Sequence, residues 1–351
     1  EVLEHILRSA VAVAVRERGS YAWCTERGIE ALAGADDATD YTPHSPELTL
    51  EYPESVAVPE LPQRYVCVTI NDADDEQAQN LAELLEYTYQ EHGLSTVFLS
   101  HMGNPAQAAA AGERGDYEVH ARIAEQMHTP ATLVPITHAD AAVRIHRGAA
   151  LTLTSRYHPA VFGLAVGVPV VALVPDAFTE MRLTGVMKHY GVGEFITPLE
   201  MLGTAIPSLL LDAAVQLNDP ELGATFTELQ APRRAEVLGA LTEWRQYVWE
   251  RISGNDEARE PQNLPKVHQV EALNEPLRGV NRAARQLLRR TSLVAGTEWA
   301  LSDRMHSWEE ARRREIEEKD REIAGLRERA EAAERKLAEY QGSLLKRILR
   351  R

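Results

Sequence analysis

The stretch Ala149-Ala-Leu-Thr-Leu-Thr-Ser-Arg-Tyr-His-Pro-Ala-Val-Phe-Gly-Leu-Ala-Val-Gly-Val-Pro-Val-Val-Ala-Leu173 decides the fold. It opens with a run from Ala149 to Thr154 that reads as a buried strand. A polar turn carrying Ser155, Arg156 and His158 follows, then an apolar helical segment from Pro159 to Ala165. A Gly-Val-Pro turn leads into a second apolar strand, Pro169 to Val174. Uniformly apolar strands are the mark of a parallel sheet covered on both faces. Ligands in such sheets bind beyond the carboxyl ends of the strands. Arg156 and His158 stand at such an end and also at a helix start, where free N–H groups and the helix dipole attract anions. Ser155 is the expected N-cap. An arginine, a titratable histidine and a helix N-terminus together suit a phosphate or a carboxylate. The same residues allow a plainer reading, with Arg156 paired to an acidic loop and His158 as a capping residue.

Working outward, the pattern upstream is regular from Arg64. Strands are expected at Tyr65–Ile70, Ser95–Ser100 and Ala131–Ile136, and helices at Asp74–His92, Asp116–His128 and His138–His146. Strands alternating with helices over short connections make βαβ units. Residues 64–200 therefore read as a Rossmann-like lobe, without the G-x-G-x-x-G fingerprint, so no NAD is predicted. Residues 1–50 read as helix, strand (Ser9–Val15), helix and polar loop. Ser20 is the expected cap of that second helix and Gly28 its end. Residues 51–63 form a linker within a proline-rich stretch (Pro43, Pro46, Pro53, Pro59 and Pro62). Residues 201–255 are expected to be a helical extension, 256–275 a second linker, and 276–351 a helical tail. In that tail Ile316, Ile323, Ala330, Leu337 and Leu344 fall seven apart, and Leu326, Ala333 and Tyr340 complete an a/d seam. A coiled coil over 302–345 follows, ending in the basic amphipathic turn with Lys346, Arg347, Arg350 and Arg351.

Composition sets outer limits. The 351 residues carry 37 Lys plus Arg against 53 Asp plus Glu, a net charge of −16, which argues against a dedicated nucleic-acid binder. Only two cysteines, Cys24 and Cys67, are present, so no disulfide framework or zinc spacing exists; both read as buried thiols in a reducing compartment. No apolar run is long enough to span a bilayer, and no signal peptide is recognisable. The chain opens on Glu1 rather than Met and is read as a fragment whose N-terminal part is absent. The scattered His44, His92, His128, His138, His146 and His189 read as loop or surface residues without metal spacing. Asp72-Ala-Asp-Asp75 reads as a helix cap rather than a metal loop. Ser155 lacks the G-x-S-x-G elbow of a hydrolase.

Ser155-Arg-Tyr-His158 followed by Phe162-Gly-Leu-Ala-Val-Gly-Val-Pro169 resembles the signature of the polysaccharide pyruvyl transferase family, an Arg-x-His turn, an apolar helix, then Gly-x-Pro. Val13-Ala-Val-Arg-Glu-Arg-Gly-Ser20 and Gly34-Ala-Asp-Asp-Ala38 resemble further elements of that family in the same order, and His101 and Gly115-Asp116 match more weakly. Pro159, and Arg182 and Lys188 where the family often has Tyr or Lys, are departures. The resemblance implies an α/β, GT-B-like fold with a Rossmann-like parallel-sheet C-terminal lobe, a partial N-terminal lobe in residues 1–50, and the helical or coiled-coil tail. It implies transfer of pyruvate from phosphoenolpyruvate to a sugar hydroxyl of a cell-surface polysaccharide or its precursor, with no cofactor and no metal. On that basis His158 and Arg156 are the expected catalytic residues, and Arg16, Ser155, His101 and Asp116 the expected substrate contacts. His158 would act as the general acid or hold the leaving phosphate. The expected partners are phosphoenolpyruvate, a glycan or lipid-linked sugar acceptor, and a second copy of the chain through the coiled coil. Peripheral membrane contact through the basic end comes second. The expected location is the cytoplasm, with the inner face of the membrane as the docking surface. Two other readings stay open: a GT-B glycosyltransferase using a nucleotide sugar, for which Glu180 could be misread as the ribose carboxylate, although the Arg-x-His turn fits an acidic donor better, and a non-catalytic lobe that serves assembly.

Overall fold

The computed structural model describes residues 2–41, 59–102, 115–136, 139–218, 226–255, 257, 259, 261–265, 267–298, 319, 321–333 and 335. Its centre is a six-stranded parallel sheet of β3 (Tyr65–Thr69), β4 (Ser95–Leu99), β5 (Ala131–Val134), β6 (Leu151–Thr154), β7 (Val170–Val174) and β8 (Ile196–Pro198). The spatial order is β5-β4-β3-β6-β7-β8. Successive strands thus run to one side from β3 through β4 to β5, and to the other side from β6 through β7 to β8. The direction reverses between β3 and β6, and a crevice opens there at the carboxyl ends. Every residue of β3, β6 and β7 is buried, because helices cover both faces.

The covering helices begin and end on local chemistry. Helix α3 (Asp75–His92) starts in a capping box in which the Asp74 carboxylate accepts the Gln77 N–H and the Gln77 side chain accepts the Asp74 N–H. The acidic stretch Asp72–Asp75 is therefore a helix start. Gly93, at φ 62°, closes the helix. The further helices of this layer are α4 (Asp116–Ala124), α5 (Ala139–Gly148), α6 (Tyr157–Ala165) and α7 (Ala177–His189). Helix α6 lies against the sheet through Gly163, where a Cβ would fall 2.9 Å from Val170 Cγ2 and 3.0 Å from Thr152 Oγ1. Gly163→Ala is accordingly expected to destabilise the fold by about 1–3 kcal/mol, seen as a lower urea midpoint at unchanged slope.

The N-terminal segment comprises α1 (Val2–Ser9), β1 (Ala14–Val15), α2 (Arg18–Glu26), β2 (Leu32–Ala33) and a 3-10 turn, Asp37–Thr39. The strand read over Ser9–Val15 is shorter than expected: α1 runs through Ser9, and only Ala14 and Val15 find partners, in a parallel pair with Leu32 and Ala33. Ser20 does not cap α2. The helix starts at Arg18, Glu17 holds the N-cap position, and the Ser20 hydroxyl donates to Glu17 Oε2 at 3.1 Å. Gly28 does follow the end of the helix.

The C-terminal half is built from α8 (Ala205–Gln216), α9 (Phe226–Ile252) and α10 (Glu275–Glu298). Leu277, Ala284 and Leu288 of α10 join the core of the sheet, and Asn281 Nδ2 donates to the Ile196 carbonyl at 2.8 Å. The segment before α10 is tied down along its course: the Leu264 N–H donates to the Ala33 carbonyl and the Val270 N–H to the Gly191 carbonyl. Of the heptad seam, Leu326 and Ala330 are buried in this same core. Within the described residues the seam thus packs on its own chain, because α10 and the end of β8 offer it an apolar surface beside Met201 and Leu288. It is not exposed there for a second helix. Ile316, Leu337, Tyr340, Leu344, the basic end, His44, His138 and most of the proline-rich stretch lie outside the described residues. Cys24 and Cys67 are buried and unpaired. No helix among the described residues is long and apolar enough to cross a membrane.

Candidate functional site

The crevice at the reversal point is a cleft of about 240 Å³, lined by Asn71 after β3, His101 and Met102 after β4, Ser155 and Arg156 after β6, Tyr157, His158 and Pro159 at the start of α6, and Thr179 and Arg182 of α7. Ser155 ties its floor together. Its Oγ accepts the Asn71 N–H at 2.9 Å and donates to Asn71 Oδ1. This engagement removes Ser155 from the capping role expected of it: Arg156 holds the N-cap position of α6, and its own N–H donates to Thr154 Oγ1 at 2.8 Å.

Arg156 is held from behind by Asp116. Its Nε donates to both carboxylate oxygens at 2.9 and 3.0 Å, and its Nη2 to Oδ1 at 2.6 Å. Asp116 Oδ2 also accepts the N–H groups of His101 and Met102 at 2.9 and 3.0 Å. Asp116 is fully buried and does not line the cleft. One carboxylate thus fixes the arginine, which lines the cleft, and the loop after β4 together.

His101 lines the cleft with its ring 5.9 Å from Phe162 and its Nε2 3.4 Å from His146 Nε2. Burial drives its pKa well below the ordinary imidazole value, with further lowering from His146, His158 and Arg156. His146 and His189, expected at the surface, are buried. His146 sits on the sheet-facing side of α5, with Nδ1 3.1 Å from Thr152 Oγ1, and burial pushes its pKa down to about 3. His189 reaches the Arg16 carbonyl at 3.2 Å, and burial pushes it down to about 4.

His158 is the exposed histidine of the cleft. Its pKa is lowered, first by desolvation and then by Arg16 and Arg182, against an opposing pull from Asp36. Arg16 approaches from the N-terminal segment. It pairs with Asp36 Oδ2 at 2.5 Å and Glu17 Oε1 at 3.0 Å, and its guanidinium lies 4.5 Å from the centre of the Tyr157 ring. Arg182 stands on the same ring at 4.6 Å. Arg16 does not line the cleft itself; it lines an adjoining hollow of about 410 Å³ with Glu17, Asp36 and Trp244.

Of the expected site residues, the structure gathers Arg156, His158, Ser155 and His101 around one cleft. It places Asp116 behind the cleft and Arg16 beside it. Asn71, Tyr157 and Arg182 were not expected as members. Asn71 directly follows the predicted β3, so the end-of-strand rule that found Arg156 applies to it as well. Arg182 carries no such signal, because only the packing of α7 turns it inward. Among the described residues no three His, Cys, Asp or Glu side chains converge as a metal site would require.

A family model described as polysaccharide pyruvyl transferase matches residues 2–176. Residues 2–176 belong to the polysaccharide pyruvyl transferase family. The pyruvyl transferase match takes in Arg16, Asp36, Asn71, His101, Asp116, Ser155, Arg156, Tyr157 and His158, and ends before Arg182. No curated protein sequence matches the chain. Among solved structures, it is similar to one described as a UDP-N-acetylglucosamine 2-epimerase from Listeria monocytogenes, at 14% identity and a TM-score of 0.40 over 72% of this chain. It is also similar to a sucrose-phosphate synthase from Thermosynechococcus elongatus, at 15% identity and a TM-score of 0.41 over 70%. The chain spans 60% of the length of each of those two proteins.

Proposed function

We propose that the protein transfers a pyruvyl group from phosphoenolpyruvate to a sugar hydroxyl and leaves a ketal. The observation that supports this most is the convergence of Arg156, Arg182 and His158 on one cleft at the reversal point of the sheet. Phosphoenolpyruvate carries a phosphate and a carboxylate, and guanidinium groups bind both with paired, charge-assisted hydrogen bonds. The first turn of α6 adds its dipole. Asp116 acts as the positioning group that aims Arg156.

In the reaction a proton passes from the His158 imidazolium to the methylene carbon, and the adjacent carbon becomes an oxocarbenium-like centre. A sugar hydroxyl oxygen bonds to that carbon and returns its proton to His158. The C–O bond to phosphate then breaks, and a second hydroxyl of the same sugar takes its place. The phosphate departs with that hydroxyl's proton. His158 must therefore be protonated in the complex, although in the free protein its pKa is lowered. A bound anion offsets the charges of Arg16 and Arg182 and draws a proton onto the ring. Titration of phosphoenolpyruvate near neutral pH is accordingly expected to take up protons, so that the binding heat changes with the ionisation enthalpy of the buffer. The buffer dependence should vanish in His158→Gln.

The test of the donor is calorimetric titration of phosphoenolpyruvate into the wild type and Arg156→Ala. The variant is expected to bind about 100-fold more weakly, the equivalent of one to two charge-assisted hydrogen bonds. Binding of a nucleotide sugar without response to phosphoenolpyruvate would overturn the assignment. Glu180, which could be mistaken for a ribose-binding carboxylate, is buried and bonded to Arg285 and Arg289.

A further inference from the structure

Tyr157 has an environment that the scheme above leaves unused. Its side chain is buried, at 6% exposure, yet it lines the cleft between Arg156 and His158 in the chain. Its hydroxyl has no hydrogen-bond partner among the described residues. A buried hydroxyl normally finds one, and leaving it unmade is costly. Such groups in a folded protein call for an explanation, and a bound ligand is one. The ring is also fixed in place. Arg16 and Arg182, from two separate elements, both set their guanidiniums on it at 4.5 and 4.6 Å. Arg182 lines the same cleft. Burial pushes the phenol pKa up, with Asp36 and Glu17 acting in the same sense against the two arginines, so the O–H keeps its proton through the neutral range.

The structure assigns the Tyr157 hydroxyl a ligand-binding role: it stands unpartnered in the free protein and donates a hydrogen bond to an oxygen of the anionic donor in the cleft. The arginines on its ring serve two ends. They hold the phenol where the anion arrives, and they strengthen it as a donor by withdrawing charge from the ring. This assignment rests on the reading of the cleft as the phosphoenolpyruvate site.

The experiment is Tyr157→Phe, which removes one oxygen and keeps the ring on which Arg16 and Arg182 rest. Urea unfolding is measured beside calorimetric titrations of phosphoenolpyruvate and of inorganic phosphate, in wild type and variant. The variant is expected to be at least as stable as the wild type, since it loses an unpaired buried group. It is expected to bind phosphoenolpyruvate about 10- to 100-fold more weakly, the range for a hydrogen bond to a charged group. A structural hydroxyl would give the opposite pair of results, lower stability with unchanged affinity, and that outcome overturns the assignment. Equal affinity in wild type and variant overturns it as well, while leaving the donor site standing. A wild type that binds neither phosphoenolpyruvate nor phosphate removes the donor site, and this role falls with it.

Discussion

Asp116→Ala is expected to cost about 3–5 kcal/mol of folding stability, the range for breaking a buried ion pair, and to abolish measurable phosphoenolpyruvate binding. The carboxylate is fully buried and accepts from Arg156 Nε and Nη2 and from the N–H groups of His101 and Met102. Removing it leaves a partly buried guanidinium without a counter-charge and two backbone donors without acceptors. The arginine then turns toward solvent, and the loop after β4 loses its anchor to α4. Asp116→Asn separates the two contributions. An amide oxygen still accepts from the backbone donors, so most of the stability is retained, but the charge that fixes Arg156 is gone. Phosphoenolpyruvate affinity is therefore expected to fall in Asp116→Asn by a larger factor than stability does. Urea unfolding followed by circular dichroism, with calorimetric titration of each folded variant, reads both effects. Full affinity in Asp116→Asn would show that Arg156 is positioned without its partner's charge.

Glu180→Ala is the second large effect, about 3 kcal/mol, at the low end of the same range because one partner can turn to water. Glu180 is 1% exposed and lies on α7, three residues after Ala177 and two before Arg182. Arg285 binds it at 2.5 and 2.8 Å and Arg289 at 2.7 and 2.8 Å, both from α10, and the Thr184 hydroxyl donates to it at 3.1 Å. Arg285 is almost buried, while the Arg289 side chain is half exposed. The pair joins α10 to the helix that carries Arg182 into the cleft, so donor affinity is expected to weaken along with stability. The pH dependence has a definite sign. Burial alone would raise the Glu180 pKa, but Arg289 and Arg285 outweigh it and hold the carboxylate below its ordinary value. Its contribution is therefore present above the unfolded pKa of about 4.3 and is lost as the pH falls through the lower folded value. The stability difference between wild type and Glu180→Gln should shrink on acidification. A constant difference from pH 7 to pH 3 would show that the ionised state of Glu180 contributes nothing.

Much of the fold was legible in local pattern. The runs read as buried strands at Tyr65–Ile70, Ala149–Thr154 and Pro169–Val174 form strands at Tyr65–Thr69, Leu151–Thr154 and Val170–Val174, and the caps at Asp74 and Gly93 marked α3 to within a residue. Regular apolar runs and capping groups report their structure because the forces involved act over a few residues. Arg156 and His158 could be singled out for the same reason, since a polar pair directly after a buried strand stands at the sheet's carboxyl edge. What local pattern does not report is which partner from elsewhere a group will meet. Ser155 looked like a cap because nothing local says that Asn71, 84 residues away, will engage it. The heptad seam looked like a dimer interface because periodicity shows that a helix has an apolar stripe, and not what covers it. In the fold Leu326 and Ala330 are covered by the chain's own core.

The sequence by itself determined the parallel α/β lobe, the position of its anion-favouring turn, and the resemblance to the polysaccharide pyruvyl transferases that Ser155-Arg-Tyr-His158 carries. The tertiary structure alone decided that Asp116 stands behind Arg156, that Arg182 completes the cleft, and that Arg16 reaches Tyr157 from outside the sheet. Asp116 and Arg156 are 40 positions apart and Arg16 and Tyr157 are 141, and the place of Arg182 depends on helix packing. Charge complementarity and burial select these pairings only after the sheet has set the distances, so no spacing along the chain encodes them.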